Sequence, residues 1–265
     1  MVSLCQRAGA SCGACCGLYN REDLSRAAAR EDLRRNTELL SRTPRSAEAF
    51  RAAAARRNRE LPAALFPSVR ICPLLGFLDA AEQRIGCLGH PRVTGGADLR
   101  SCGVYDVLTC DASLCPSHAC LDEDQATLAA RASGDFYLYG LVVTDAPFLR
   151  AVVGALEARV GVRPLPADLD HPAFKRALHA LLSLKEELAP GSEGIFAAFR
   201  TPGEKQALPP GAPAERILAA LGADPRSGND SEALEAEVVR RLEAAAAALS
   251  AVLQGRRIGP PGNER

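Results

Sequence analysis

The ten cysteines of this 265-residue chain all lie between positions 5 and 120, and none follows. Cysteines used as small core hydrophobes would not stop at a boundary. The chain therefore divides into a Cys-rich front and a Cys-free back. Ten cysteines can be five disulfides, ten core thiols or a metal site. The N-terminus, Met1-Val2-Ser3-Leu4-Cys5-Gln6-Arg7, has no apolar run of the signal-peptide kind. No window reaches the roughly 18 apolar residues of a membrane span. The expected compartment is cytoplasmic, where thiols stay reduced, and clustered reduced thiols point to metal or redox chemistry.

Lys+Arg and Asp+Glu each total 32, so the formal net charge is zero. That balance argues against a nucleic-acid binder driven by bulk charge and against an acidic solvating chain. Aromatics are only 5% and Trp is absent, so a core must come from Leu, Val and Ala. No nucleophile elbow, Walker loop or HExxH helix is present, and no basic amphipathic face suits a membrane.

Between the first cysteines and position 66, the pattern predicts two helices. Asn20 is a plausible N-cap, with Glu22 and Asp23 in the first turn. Leu24, Ala28, Leu33, Thr37 and Leu40 trace an apolar stripe to about Ser41, and Thr43-Pro44 opens a second helix that ends before Pro62. Residues 66–120 are short, apolar and broken by Pro and Gly, with a β-hairpin expected near 71–88 around Ala80–Gln83. Such a loop-rich segment usually needs a staple, and metal is the available one. The back half reads as helical. Thr144 or Asp145 caps one helix, stopped at Gly161, and Asp170 starts another, stopped at Pro190-Gly191. Residues 201–213 form a Pro/Gly-rich loop, followed by a short helix near Ala214–Leu221. Ser231 starts a long last helix with Leu234, Val238, Leu242, Ala245, Leu249 and Val252 on one face. Asp135-Phe136-Tyr137-Leu138-Tyr139-Gly140 concentrates three of the twelve aromatics and reads as a seam between the two halves, or as a substrate wall.

Cys12-Gly13-Ala14-Cys15-Cys16 is a CxxC turn with a third cysteine attached. Such a turn lets two thiolates converge on one ion at about 2.3 Å. Neighbouring side chains on an extended backbone point to opposite sides, so Cys15 and Cys16 suit either different sites or one site on a turned backbone. Cys72, Cys87 and Cys102 follow at intervals of fifteen, and Cys102, Cys110, Cys115 and Cys120 crowd around His118. Only one knuckle is tight, which fails the zinc-ribbon pattern, whereas iron–sulfur clusters accept irregular spacing.

Ser11-Cys12-Gly13-Ala14-Cys15-Cys16 resembles the signature of the cysteine-cluster family, a zinc- or iron-chelating domain with a CxxCxxCC motif that is distantly related to flagellin lysine N-methylases. Cys72-Pro73-Leu74-Leu75, Gly86-Cys87-Leu88 and Cys102-Gly103-Val104-Tyr105 match the order of the family's later motifs, and Cys110 and Cys115 match its close. The resemblance covers residues 5–118. It implies a metal ligand set of Cys12, Cys15, Cys16, Cys72, Cys87, Cys102, Cys110 and Cys115. The gap between Cys5 and Cys12 is longer than the family's, which places Cys5 outside that set. Cys120 has no family counterpart. No glycine-rich loop after a strand supports S-adenosylmethionine binding.

Cys5 and Cys120 remain open between ligand and free thiol, and His90 and His118 between ligand and turn residue. Arg70, Arg92 and Arg100 read either as counter-charges to a thiolate-bound metal or as solvated surface groups. The expected fold is mostly α, with a loop-rich, metal-stapled Cys domain and a helical C-terminal half. The expected domains are 1–120, holding an inserted helical hairpin at 20–61, and 121–254, with a flexible tail at 255–265. The expected function is metal binding, with zinc or an iron–sulfur cluster as cofactor and the metal as partner, and with neither nucleic acid nor membrane. A metal-dependent enzyme, redox or methyltransferase-like, and a metal-stapled adaptor are the alternatives.

Overall fold

Two left-handed residues start the fold. Ala8 (φ 48°) and Gly9 (φ 85°) form a two-residue turn that pairs β1 (Gln6–Arg7) with β2 (Ala10–Ser11), in the register Gln6↔Ser11 and Arg7↔Ala10. The computed structural model describes residues 3–65, 69–112, 115–188, 211–221 and 229–258. After β2 a single 3₁₀ turn covers Ala14–Cys16 and closes on Gly17 (φ 81°). A side chain at Gly17 would meet the Arg70 carbonyl at 2.6 Å, so glycine is required there both for conformation and for space.

The two expected helices form, with different starts. α1 (Arg26–Ser41) is capped by Ser25, whose hydroxyl accepts from Ala28 N–H, and α2 (Ala47–Asn58) is capped by Ser46 in the same way. Asn20 does not cap: it is buried and donates its amide to the Val69 carbonyl. Thr37 lies on the inward stripe because its hydroxyl accepts from Phe77 N–H at 2.8 Å, and Asn36 donates to Leu75 O at 2.8 Å. These two bonds fix α1 against β3 (Leu75–Phe77), which pairs antiparallel with β4 (Ile85–Cys87). The expected hairpin is therefore present, shorter than the segment that announced it. α2 is tied to α1 by a buried guanidinium: Arg57 pairs with Asp32 at 2.5 Å and donates to Asn36 Oδ1 at 2.7 Å. Three short helices follow, α3 (Pro91–Thr94), α4 (Val107–Ala112) and α5 (Ser117–Cys120).

The back is a helical assembly of α6 (Glu123–Ala132), α7 (Phe136–Val143), α8 (Ala146–Val160), α9 (Pro172–Leu182), α10 (Leu184–Leu188), α11 (Pro213–Ala220) and α12 (Asn229–Ile258). Asp145 caps α8 with one carboxylate oxygen and takes Lys185 at 2.5 Å on the other, a pair buried on both sides. α8 ends on Gly161 (φ 75°), as its sequence announced. α9 begins at Pro172 rather than at Asp170, which belongs to a preceding 3₁₀ turn. α12 packs on α9 and α8 through Val238, Leu242, Ala245, Leu249 and Val252, all buried. It continues through Gly255 to Ile258, so the start of the expected flexible tail is helical. The expected stop at Pro190-Gly191, most of the 201–213 loop and positions 259–265 lie outside the described residues.

α7 joins the two halves. All eight of its residues are buried. Tyr137 donates to the Leu24 carbonyl, Tyr139 donates to Leu4 O at 2.6 Å, and Tyr19 donates to Tyr137 O at 3.1 Å. Each bond takes a phenol across to the other half, which satisfies a hydroxyl that burial would otherwise leave unpaired. Tyr19 lies so close to α7 that a Cβ at Gly140 would meet its hydroxyl oxygen. Among the described residues no single helix is long and apolar enough to cross a membrane; α7 and α8 would suffice together, but they bend by 89°.

Candidate metal centre

The hairpin β1–β2 decides where the first thiols go. It folds the chain back so that Cys12 N–H donates to Cys5 O at 3.0 Å, which brings Cys5 beside the CGACC turn. Cys115 arrives from the loop before α5, and its thiol and that of Cys15 shift one another strongly. Cys5, Cys12, Cys15 and Cys115 form one neighbourhood. The Cys12 thiol is pushed well up by burial first and then by the Cys5 and Cys115 charges. Cys15 is pushed up by the Cys115 thiol, with burial and the Cys12 charge adding to it. Cys115 is lowered by the neighbouring Cys15 thiol, although burial opposes the shift. The Ser117 hydroxyl is fully buried, has no other hydrogen-bond partner among the described residues, and faces the Cys115 sulfur.

The second neighbourhood starts one residue later. Cys72 N–H donates to Cys16 O at 2.9 Å, so the segment leading into β3 lies along the 3₁₀ turn. Cys87 sits across the β3–β4 pair, opposite Leu75. Cys16 is pushed well up by burial, then by Cys72 and Cys87, and more weakly by Cys5 and Cys110. Cys87 is pushed up to about 12 by burial and by Cys72, while Arg100 pulls it down. Cys110, on the exposed α4, bears on Cys16, Cys72 and Cys87 alike. The two neighbourhoods adjoin, and the Tyr105 phenol feels Cys16, Cys72 and Cys15 together.

The backbone serves the sulfurs. Ala14 N–H points at Cys12 Sγ at 3.4 Å. The amides of Leu74, Gly89 and Ser117, each two residues on, likewise favour the thiolates of Cys72, Cys87 and Cys115. An N–H from the residue two places on favours a thiolate over a thiol and tunes whatever the sulfur ligates. Leu75 N–H donates to the Cys72 carbonyl at 3.3 Å, and Gly103 lets the chain pass close to the sulfur, since a Cβ there would stand 3.1 Å from Cys72 Sγ.

The structure thus separates the thiols that the sequence grouped together. Cys12, Cys15 and Cys115 lie with Cys5, which its spacing had set aside. Cys16, Cys72 and Cys87 act on one another, and the exposed Cys110 bears on all three more weakly. Cys102 lies apart from both: it is buried, and its thiol donates to Ala47 O at 3.4 Å among Leu40, Phe50 and Leu99. Cys120 ends α5, half-buried. His118 Nε2 accepts from Leu4 N–H at 3.4 Å, and His90 Nδ1 caps α3 by accepting from Arg92 N–H at 3.2 Å. Of the three arginines, Arg100 is the one that bears on thiols, lowering Cys87 and Cys110 while it pairs with Asp98 and Asp111. Arg70 instead joins Tyr105 through its backbone, its N–H donating to the phenol oxygen at 2.6 Å. The signal that would have included Cys5 was Gly9: a two-residue turn shortens the path between Cys5 and Cys12.

Among the described residues, no three His, Cys, Asp or Glu side chains close on the tight point that one ion demands. All ten thiols are free, without disulfides. Comparison with protein-family models, with curated proteins and with solved structures gives no match.

Proposed function

We propose that this chain is a metal-binding protein with two four-thiol centres in its front half, one on Cys5, Cys12, Cys15 and Cys115 and one on Cys16, Cys72, Cys87 and Cys110. The observation that carries the reading is the partition itself. By their strongest mutual effects the thiols divide around Cys15 and around Cys16, and an N–H two residues on favours the thiolate form of Cys12, Cys72, Cys87 and Cys115. All of these thiols but Cys115 resist ionisation, because burial and each neighbouring thiolate raise the cost of charging the next. A soft cation reverses that balance, since thiolate is the ligand form of cysteine.

The donor set is all sulfur, which suits zinc or an iron–sulfur cluster. Sulfurs around one zinc lie roughly 3.7 Å apart, as follows from Zn–S bonds of about 2.3 Å, and a polynuclear cluster spreads them wider. The ligand set departs from the one implied by the cysteine-cluster resemblance: Cys5 enters and Cys102 leaves, its thiol engaged with Ala47. Each set joins segments far apart in the chain, so metal binding would contribute folding free energy to residues 66–120. Removal of metal by a strong chelator is expected to melt the front half first and to leave the Cys-free helices folded. A thermal transition unchanged by chelation would overturn the reading.

A further inference from the structure

α1 and α2 treat their exposed arginines differently. On α1, Arg34 pairs with Glu82 at 2.7 Å and Arg35 with Glu31 at 2.8 Å, and Arg42 at its end pairs with Glu38 at 3.0 Å. On α2, Arg51, Arg56 and Arg59 are exposed and form no ion pair among the described residues. Arg45, just ahead of α2, is exposed too. Its guanidinium lies 5.7 Å from the Phe50 ring centroid and has no carboxylate partner among the described residues. The negative end of a helix favours Arg56 and Arg59, but Arg51 stands mid-helix, beyond its reach.

Helical geometry puts these groups on one side. Phe50, Ala54 and Arg57 are buried and define the inward face of α2. At about 100° per residue, Arg51, Ala55, Glu48, Arg59, Ala52 and Arg56 follow one another across the opposite side, over an arc of roughly 140°. All six are exposed. Arg51 and Arg56 form the two edges, alanines lie between them, and Glu48 is the one carboxylate. Unpaired like charges gathered in this way raise the local potential and attract an anion.

We propose that the outward face of α2 docks an acidic helix of a partner protein. Guanidinium forks match carboxylates in bidentate geometry. Arg51, Arg56 and Arg59 spread over about 12 Å of helix axis, the span of carboxylates at i, i+4 and i+8 on a partner helix. Ala52 and Ala55 add no bulk, so the partner backbone comes close. Glu48 selects among anions. It repels a phosphodiester chain or an anionic lipid surface, which carry one sign throughout, whereas a protein sets a lysine opposite it. With alanine as its only apolar content, the face has nothing to sink into a bilayer. The balanced charge of the whole chain supplies no bulk attraction to a polyanion.

The test is fluorescence anisotropy of the full chain, at low ionic strength, with a fluorescein-labelled Glu/Ala peptide of about 20 residues carrying Glu at helical spacing. Binding is expected, lost in high salt and weakened by about 10-fold or more in the double variant Arg51→Glu/Arg56→Glu. That variant should bind a Lys/Ala peptide of the same pattern more tightly than the wild-type chain does, a gain that a misfolded helix would not give. Arg216→Glu, at an exposed and unpaired arginine on α11, should leave binding of the Glu/Ala peptide unchanged. No binding by the wild-type chain, equal weakening by Arg216→Glu, or no gain for the Lys/Ala peptide would each overturn the docking face. Tighter binding to a short DNA duplex or to phosphatidylserine vesicles, lost in the same double variant, would overturn the acidic helix as its occupant.

Discussion

Cys15 and Cys16 are chain neighbours that belong to different thiol sets. The Cys15 thiol acts most strongly with Cys115, whereas Cys16 receives Cys72 N–H on its carbonyl at 2.9 Å and feels the Cys72 and Cys87 thiols most. The 3₁₀ turn over Ala14–Cys16 sends the two side chains apart, and Gly17 permits the close approach of Arg70 that brings Cys72 in.

Separate roles for these neighbours give separable phenotypes. Cys15→Ser and Cys16→Ser should each lose one centre and keep the other, so each retains about half of the bound metal by elemental analysis, as expected for two independent sites. Cys102→Ser should keep both centres at a stability cost of about 1 kcal/mol, because serine can still donate to Ala47 O. Full metal loss in either C15S or C16S would show a single shared centre.

The joint between the halves is tested at Gly140. Its missing Cβ makes room for the Tyr19 hydroxyl, which a side chain at this position would meet. Gly140→Ala should destabilise by about 1–3 kcal/mol in denaturant unfolding, the range of overpacked cores. Tyr19→Phe in the same chain should recover part of that loss, since the closest atom is gone. Strict additivity of the two changes would mean that Tyr19 and Gly140 are not in contact.

Acid should loosen the link between α1 and the β3–β4 turn. Glu82 bridges Arg30 at 2.9 Å and Arg34 at 2.7 Å, which holds its carboxyl at about 2, against an ordinary 4.5. A carboxyl lowered in the folded state contributes stability that is fully present above pH 4.5 and is lost as the pH falls toward 2. The Glu82 side chain is 27% exposed, and the contribution is under about 1 kcal/mol. Glu82→Gln should flatten the stability–pH curve over that window, and an unchanged slope would show that these pairs are screened out.

Much of the helical layout was legible because its signals are local. The face of Val238, Leu242 and Leu249 repeats at helical spacing, Asp145 and Gly161 mark both ends of α8, and Gly76 to Gly86 spans the β-hairpin. The misses have one cause, which is that distant partners outbid local propensity. Asn20 looks like a cap but spends its amide on Val69 O, and the cap passes to Ser25. Cys5 looked too far from Cys12 until the Ala8-Gly9 turn closed the gap. Cys102 looked like one of a regular series, yet its thiol turns to Ala47. No spacing rule shows which way a sulfur faces after a turn, so the proposed division of the thiols into two sets had no signal in the sequence.

The most direct measurement is metal and acid-labile sulfide per chain after anaerobic purification, read together with the visible spectrum and a count of reactive thiols. Two centres require either two zinc ions in a colourless protein, or iron with matching sulfide and a brown absorbance near about 400 nm, with the eight ligand thiols protected until chelator is added. Ten freely reactive thiols in a protein without zinc, iron or sulfide would contradict the two-centre account.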